Sequence, residues 1–232
     1  SGGPITQDNT SVEYYCTIFA AAESPLVEGL LYTGSDDGLV HISQDGGKSW
    51  TNITPKDWPQ WMMVNSIEPS RHEPGTCYVA GTRYKLGDYT PYLYKTSDYG
   101  NSWQRITKGI ESEHFTRVLR EDLTQRGLLY AGTEAGMYVS FDDGAQWQKF
   151  QLNLPQVPIT DLTLKNNDLI VATQGRSLWM IDDLTVLHQL RNAKGNQNFL
   201  FKPKDTYRIG GRSRSGSLTQ GTNHPNGVMV YF

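Results

Sequence analysis

Ser43-Gln-Asp45-Gly-Gly47-Lys-Ser49-Trp50 returns twice along this chain, as Thr96-Ser-Asp98-Tyr-Gly100-Asn-Ser102-Trp103 and as Ser140-Phe-Asp142-Asp-Gly144-Ala-Gln146-Trp147. The shared pattern is hydroxyl-x-Asp-x-Gly-x-polar-Trp. The three aspartates stand 53 and 44 residues apart, and a β-rich stretch precedes each copy. That period is the length of one four-stranded sheet with its turns, so the chain reads as an array of similar sheets.

Each residue type has a physical role in such a motif. An Asp side chain accepts hydrogen bonds from backbone N–H groups one or two residues ahead and so forms turns. Gly two positions later tolerates the positive φ of a tight turn. The Trp begins the next strand, where its ring buries against a neighbouring sheet and its N–H reaches a backbone acceptor. A catalytic or calcium-binding reading of Asp45, Asp98 and Asp142 is weak, because one carboxylate per turn lacks the oxygen density of a calcium loop. These aspartates, with Gly47, Gly100, Gly144, Trp50, Trp103 and Trp147, read as structural staples.

The pattern resembles the Asp-box, or BNR repeat, of sialidase-like, xyloglucanase-like and sortilin-type (Vps10) β-propellers. The resemblance covers roughly residues 12–190 and implies an all-β fold of propeller blades, each a four-stranded antiparallel sheet. In those families the box lies in the turn between the third and fourth strands, at the periphery and away from the ligand-binding face.

The strand signals divide residues 12–190 into four blades: 12–54, 62–107, 115–152 and 158–190. The second strands nearly superimpose as Leu-Tyr32-Thr-Gly34, Tyr78-Val-Ala-Gly81 and Tyr130-Ala-Gly132. In the fourth blade Thr185–Leu190 is expected as the outer strand. Its motif is degraded there: Asp182 survives, but Leu184 replaces the Gly and no Trp follows. Residues 1–11 read as an entry segment and 191–222, rich in Gly, Ser and Arg, as a linker. Residues 223–232 read as the truncated start of a further β domain. About four blades leave two end sheets with apolar surface meant for neighbours. Missing blades are therefore expected from the parent chain or from a second copy.

With 232 residues and 37% hydrophobic content the chain can bury a sizeable core. A net charge of −3 gives no support for nucleic acid as a partner. No apolar run is long enough to span a membrane. The start at Ser1-Gly-Gly-Pro4 predicts an excised segment. Cys16 and Cys77 fall in the first and second blades, where a bridge and two separate thiols are both open. No cofactor is expected: the histidines are scattered, no His/Cys/Asp/Glu spacing suits zinc, and no Gly-rich phosphate loop opens a helix.

Propeller geometry puts the staples on one face, so function is expected on the other. That face collects Asp36 and Asp37, the long insertion Arg83–Tyr89, Glu134, and Gln174–Arg176. The connections carrying Trp58, Trp61, Glu111, Glu113 and His114 join it. Trp58 and Trp61, around a Pro, suit stacking on sugars or capping a peptide. Arg83, Tyr89 and Arg176 are the other expected ligand-binding residues, and the insertion is longer than a hairpin needs. Asp36, Asp37 and Glu134 are the candidate acid and base if the chain hydrolyses glycosides, which requires two carboxyls at a defined separation. The resemblance implies foremost a non-catalytic scaffold of an exported, extracellular or periplasmic sortilin-like repeat protein, with a protein, peptide or polysaccharide ligand. The alternative it implies is a xyloglucanase-like glycoside hydrolase.

Overall fold

The computed structural model describes residues 16–190, 198–206 and 227–232. The expected entry segment and most of the expected linker lie outside the described residues. Four antiparallel sheets follow one another along residues 16–182, each a meander in which consecutive strands pair. Blade 1 holds β1 (Ile18–Glu23), β2 (Leu31–Ser35), β3 (Val40–Ser43) and β4 (Thr51–Asn52). Blade 2 holds β5 (Met63–Pro69), β6 (Cys77–Arg83), β7 (Asp88–Thr96) and β8 (Gln104–Arg105). Blade 3 holds β9 (Thr116–Glu121), β10 (Leu129–Thr133), β11 (Gly136–Ser140) and β12 (Gln148–Lys149). Blade 4 has three strands, β13 (Ile159–Lys165), β14 (Asp168–Thr173) and β15 (Leu178–Ile181).

Blades touch in chain order, through the first strand of each blade against the first and second strands of its neighbour. Small residues make this approach close. A Cβ on Gly34 of β2 would stand 2.3 Å from Val64 Cγ1 of β5, so only glycine fits there. Blade 3 is covered on both sides, and every residue of β10 and β11 is buried. These two inner strands accordingly carry no charged residue. The end blades are half-covered: Ile18, Phe19, Leu178 and Met180 are exposed.

Polar groups cross the seams as well. Arg120 of β9 donates to Ser66 Oγ in blade 2 at 2.7 Å, and to Leu162 O and Asp161 Oδ1 in blade 4 at 2.8 Å each. Glu121 accepts from Ser70 Oγ at 2.6 Å, and Tyr78 donates to Asp143 at 2.7 Å across the same seam. Burial is the main cause that pushes the Glu68 carboxyl up to about 7, against the pull of Arg120.

The three motifs fold alike. Ser43, Thr96 and Ser140 donate their hydroxyls to Asp45, Asp98 and Asp142 at 2.8 Å, and accept the N–H of Gly47, Gly100 and Gly144. Each Asp then accepts the N–H four residues ahead, from Ser49, Ser102 and Gln146, at 2.9 Å. The reach is thus longer than the one or two residues expected from turn chemistry. The cause is a turn with two consecutive left-handed residues, such as Tyr99 (φ 59) and Gly100 (φ 85). Hydrogen bonds from the Ser49 hydroxyl and N–H, then from Ser43, draw the Asp45 carboxyl down to about 2. Asp98 is lowered first by the Ser102 hydroxyl and N–H.

Residues 183–232 form a second unit. Thr185–Leu190 is a helix, α1, and not the expected outer strand of blade 4. Asp183 Oδ1 accepts the Thr185 N–H at 3.0 Å, and His188 N–H bonds to Leu184 O. The apolar spacing of this short run fits either period, and the acceptor at its start decides for helix. Farther on, Phe201 N–H bonds to Tyr231 O. Cys16 and Cys77 are both free thiols, the first exposed and the second buried.

Candidate functional site

The turns opposite the motifs gather residues from three blades into one rim. Blade 2 contributes most. After β6 the chain makes a 3-10 turn, Tyr84–Leu86, closed by Gly87 at φ 75, and re-enters the sheet with Arg83 paired to Asp88. Arg83 Nη1 meets Asp88 Oδ2 at 2.9 Å, and Tyr92 OH donates to the same oxygen. Burial works against a charged Asp88, but hydrogen bonds from Thr90, Tyr92 and Arg83 outweigh it and hold the carboxyl below its usual range. The insertion is therefore a braced hairpin tip rather than a loose excursion.

Tyr84 stacks on Phe115 of the next blade, with ring centroids 5.1 Å apart and planes 15° apart. Tyr89 approaches the same Phe115 at 6.1 Å and is 52% exposed. The Arg117 guanidinium lies 5.1 Å from the Phe115 ring and 5.5 Å from Tyr84. Two of its N–H groups reach Glu134 Oε2, at 2.9 and 2.6 Å. An aromatic pair, a cation and a carboxylate thus share one patch, and Lys85 stands exposed beside it. Such a mixture offers stacking, cation–π and charge-assisted contacts to a ligand.

Toward blade 1, Asp36, Trp61, Arg83 and Tyr84 line a cavity of ≈ 10 Å³, about the size of one water. Trp61 holds a left-handed backbone, φ 60, which is uncommon for a bulky residue. On the blade 3 side, His114 contacts Tyr138 OH through Nδ1 at 2.8 Å and Glu111 through Nε2 at 3.2 Å. Lys149 completes that cluster with an ion pair to Glu111, which lowers the Glu111 carboxyl.

Several expected site residues behave otherwise. Trp58 is 8% exposed and packs on Tyr94 at 4.9 Å, so it belongs to the core and offers no face for stacking. Arg176 is exposed and donates to the Gly175 carbonyl; no described contact joins it to the Arg117 patch. The candidate hydrolytic carboxylates are engaged. Asp36 Oδ1 accepts the N–H of Cys16 and Thr17 at 2.8 and 3.0 Å, Asp37 accepts from Ser35 Oγ, and Glu134 is held by Arg117. Phe115 and Arg117 are the residues that sequence reasoning passed over. Phe115 lies just before β9 and Arg117 stands where the β9–β10 register slips, so strand alternation gives no signal for the pair. A more voluminous groove, ≈ 490 Å³, lies instead at the periphery of the blade 1–blade 2 seam, beside Lys56, Asp57, Asn101 and Trp103. Among the described residues no group of three or more His, Cys, Asp or Glu could hold a metal ion.

No protein-family model matches the chain, and no curated protein does. Solved structures do. YCF48 bound to D1 peptide is similar with a TM-score of 0.54 at 18% identity, over 72% of this chain and 52% of that one. The GH74 xyloglucanase from Xanthomonas campestris is similar with a TM-score of 0.53 at 16% identity, over 72% of this chain and 29% of that one. The extracellular domain of a one-component system from B. thetaiotaomicron gives 0.54 at 19% identity, over 75% and 22%. The chain thus spans about half the length of the YCF48 structure and less than a third of the GH74 enzyme. At these identities the likeness speaks for the fold, and the fold is that of β-propeller blades.

Proposed function

We propose that this chain is a non-catalytic binding scaffold, an Asp-box blade array of the sortilin-like kind within an exported protein. Its ligand is a protein or peptide held at the rim of Tyr84, Tyr89, Arg117 and Glu134, for which the buried Phe115 is the backing. The observation that carries this reading is the aromatic and charged patch braced across two blades, on a face whose candidate hydrolytic carboxylates are already committed to turns or to Arg117. The structural likeness to a propeller bound to a peptide supports it. An extracellular or periplasmic location is part of the proposal, supported by the likeness to an extracellular domain. Among the described residues no helix is long and apolar enough to cross a membrane.

The test is selection of a random-peptide display library on the immobilised chain, followed by titration of the enriched peptides. Binding should weaken by about tenfold or more in Tyr89→Ala and Arg117→Ala, as for anchors of an interface. Enriched peptides that bind both variants as well as the parent would refute the rim. The likeness to a GH74 xyloglucanase favours a second reading, a polysaccharide hydrolase. Reducing-sugar release from xyloglucan by the purified chain, lost in Asp36→Asn or Glu134→Gln, would replace the first reading with the second.

A further inference from the structure

The seams between blades 1 and 2 and between blades 2 and 3 show what a motif does for its neighbour. Trp103 Nε1 donates to the carbonyl of Ile53, just past β4 of blade 1, at 2.6 Å. Trp147 Nε1 donates to the carbonyl of Ile106, at the matching position past β8 of blade 2, also at 2.6 Å. The motif glycines meet the same residues: a Cβ on Gly100 would stand 2.6 Å from Ile53, and one on Gly144 2.7 Å from Ile106. Each motif therefore grips the outer-strand end of the blade before it.

Blade 1 carries the same motif in a different setting. Trp50 is 43% exposed where Trp147 is 2%. Its Nε1 turns back to Gly47 O of its own turn, at a longer 3.2 Å. A Cβ on Gly47 would meet only Leu31 and Trp50, both of blade 1. Beside Trp50, the side chains of Ile18, Leu39 and His41 help line an open groove of ≈ 370 Å³.

We propose that this face of blade 1 is a third seam of the same construction. Its occupant is a complete four-stranded propeller blade whose outer strand ends on an aliphatic residue. That residue's carbonyl accepts the Trp50 N–H, its side chain covers Gly47, and the sheet behind it fills the groove over Ile18 and Leu39. The argument is continuity with two established seams of identical geometry. A second copy of this chain is the weaker occupant, because among the described residues its end sheet β13–β15 has no outer strand to present a strand-end carbonyl. The proposal rests on the fold and is independent of the ligand reading above.

The experiment joins a copy of residues 62–107, whose outer strand ends on Ile106, ahead of the full chain. A parallel fusion uses residues 115–152, which end on Phe150 at the equivalent position. Hydroxyl-radical footprinting with mass spectrometry then reads the oxidation rate of Trp50, with Trp147 as the buried reference. In the first fusion Trp50 should slow by about tenfold, toward the rate of Trp147. Trp50→Phe should lower the melting temperature of that fusion and leave that of the parent chain unchanged. Unchanged Trp50 reactivity in both fusions overturns the proposal. So does an added segment that stays unfolded beside an intact blade 1, since the face is then no template for a blade. A parent chain that sediments as a dimer with Trp50 already protected assigns the face to a second copy and overturns it as well.

Discussion

Gly100→Ala should destabilise this protein far more than Gly47→Ala, although the two glycines hold the same motif position at φ 85 and 88. The left-handed backbone penalises both alike, by about 1–2 kcal/mol. The surroundings then separate them. The added methyl at position 100 would stand 2.6 Å from both Cβ and Cδ1 of Ile53, whereas at position 47 nothing lies nearer than 3.6 Å. Overpacking of a closed seam adds about 1–3 kcal/mol, so the expected totals are about 2–5 kcal/mol against about 1–2. Gly46→Ala, at φ 73 with nothing within 4 Å, calibrates the backbone part alone. Equilibrium urea unfolding of the three variants gives the differences. Adding Ile53→Ala closes a double-mutant cycle, in which the methyl at 100 and the shortened side chain at 53 should couple favourably by about 1–2 kcal/mol. Equal losses at 47 and 100, or no coupling with Ile53, would show that the motif stabilises only its own turn and grips nothing.

Three further outcomes follow from the same geometry. Trp147→Phe removes the bond to Ile106 O from a fully buried site and should cost about 2 kcal/mol, while Trp50→Phe should cost less than about 0.5 kcal/mol; paired thermal melts decide. Glu68 titrates near 7 when folded against about 4.5 when unfolded, so the folded state holds the extra proton between those values and stability falls as pH rises through that window. Glu68→Gln should flatten this slope and gain on the order of 1–3 kcal/mol at pH 8, and an unchanged slope would assign the titration elsewhere. Asp45 and Asp98 are shifted down, so their contribution is complete above the unfolded value near 3.8 and fades as pH falls below it, toward about 2 for Asp45. Asp45→Asn should accordingly weaken the protein at pH 6 and lose most of its difference from the parent at pH 2, read by urea midpoints at both pH values.

What was legible in the chain was what is local. The three staples and the second-strand glycines announce themselves by spacing. The outer strands are another matter: β4, β8 and β12 are two residues each, and Thr185–Leu190, expected as the outer strand of blade 4, is a helix. Trp58 and Trp61 show the harder limit. They are three residues apart and identical in type, yet Trp58 is buried because Tyr94, in the next blade, lies against it. The Tyr84–Phe115 stack likewise joins residues of different blades, so no reading of either segment alone contains it. Site residues here are products of the seams, and seams are long-range.

The indole-to-carbonyl latch has a direction. Each Trp reaches back to a strand end that lies earlier in the chain: Trp103 to Ile53, Trp147 to Ile106. During synthesis the acceptor is therefore made before its donor, and a blade can dock the moment its own motif emerges. Loss of blades from the C-terminal side removes donors together with their turns and leaves only a strand-end carbonyl, which water can serve. Loss from the N-terminal side leaves an indole and its apolar surround facing solvent. The array is a vectorial one, tolerant of shortening at one end and sensitive to it at the other.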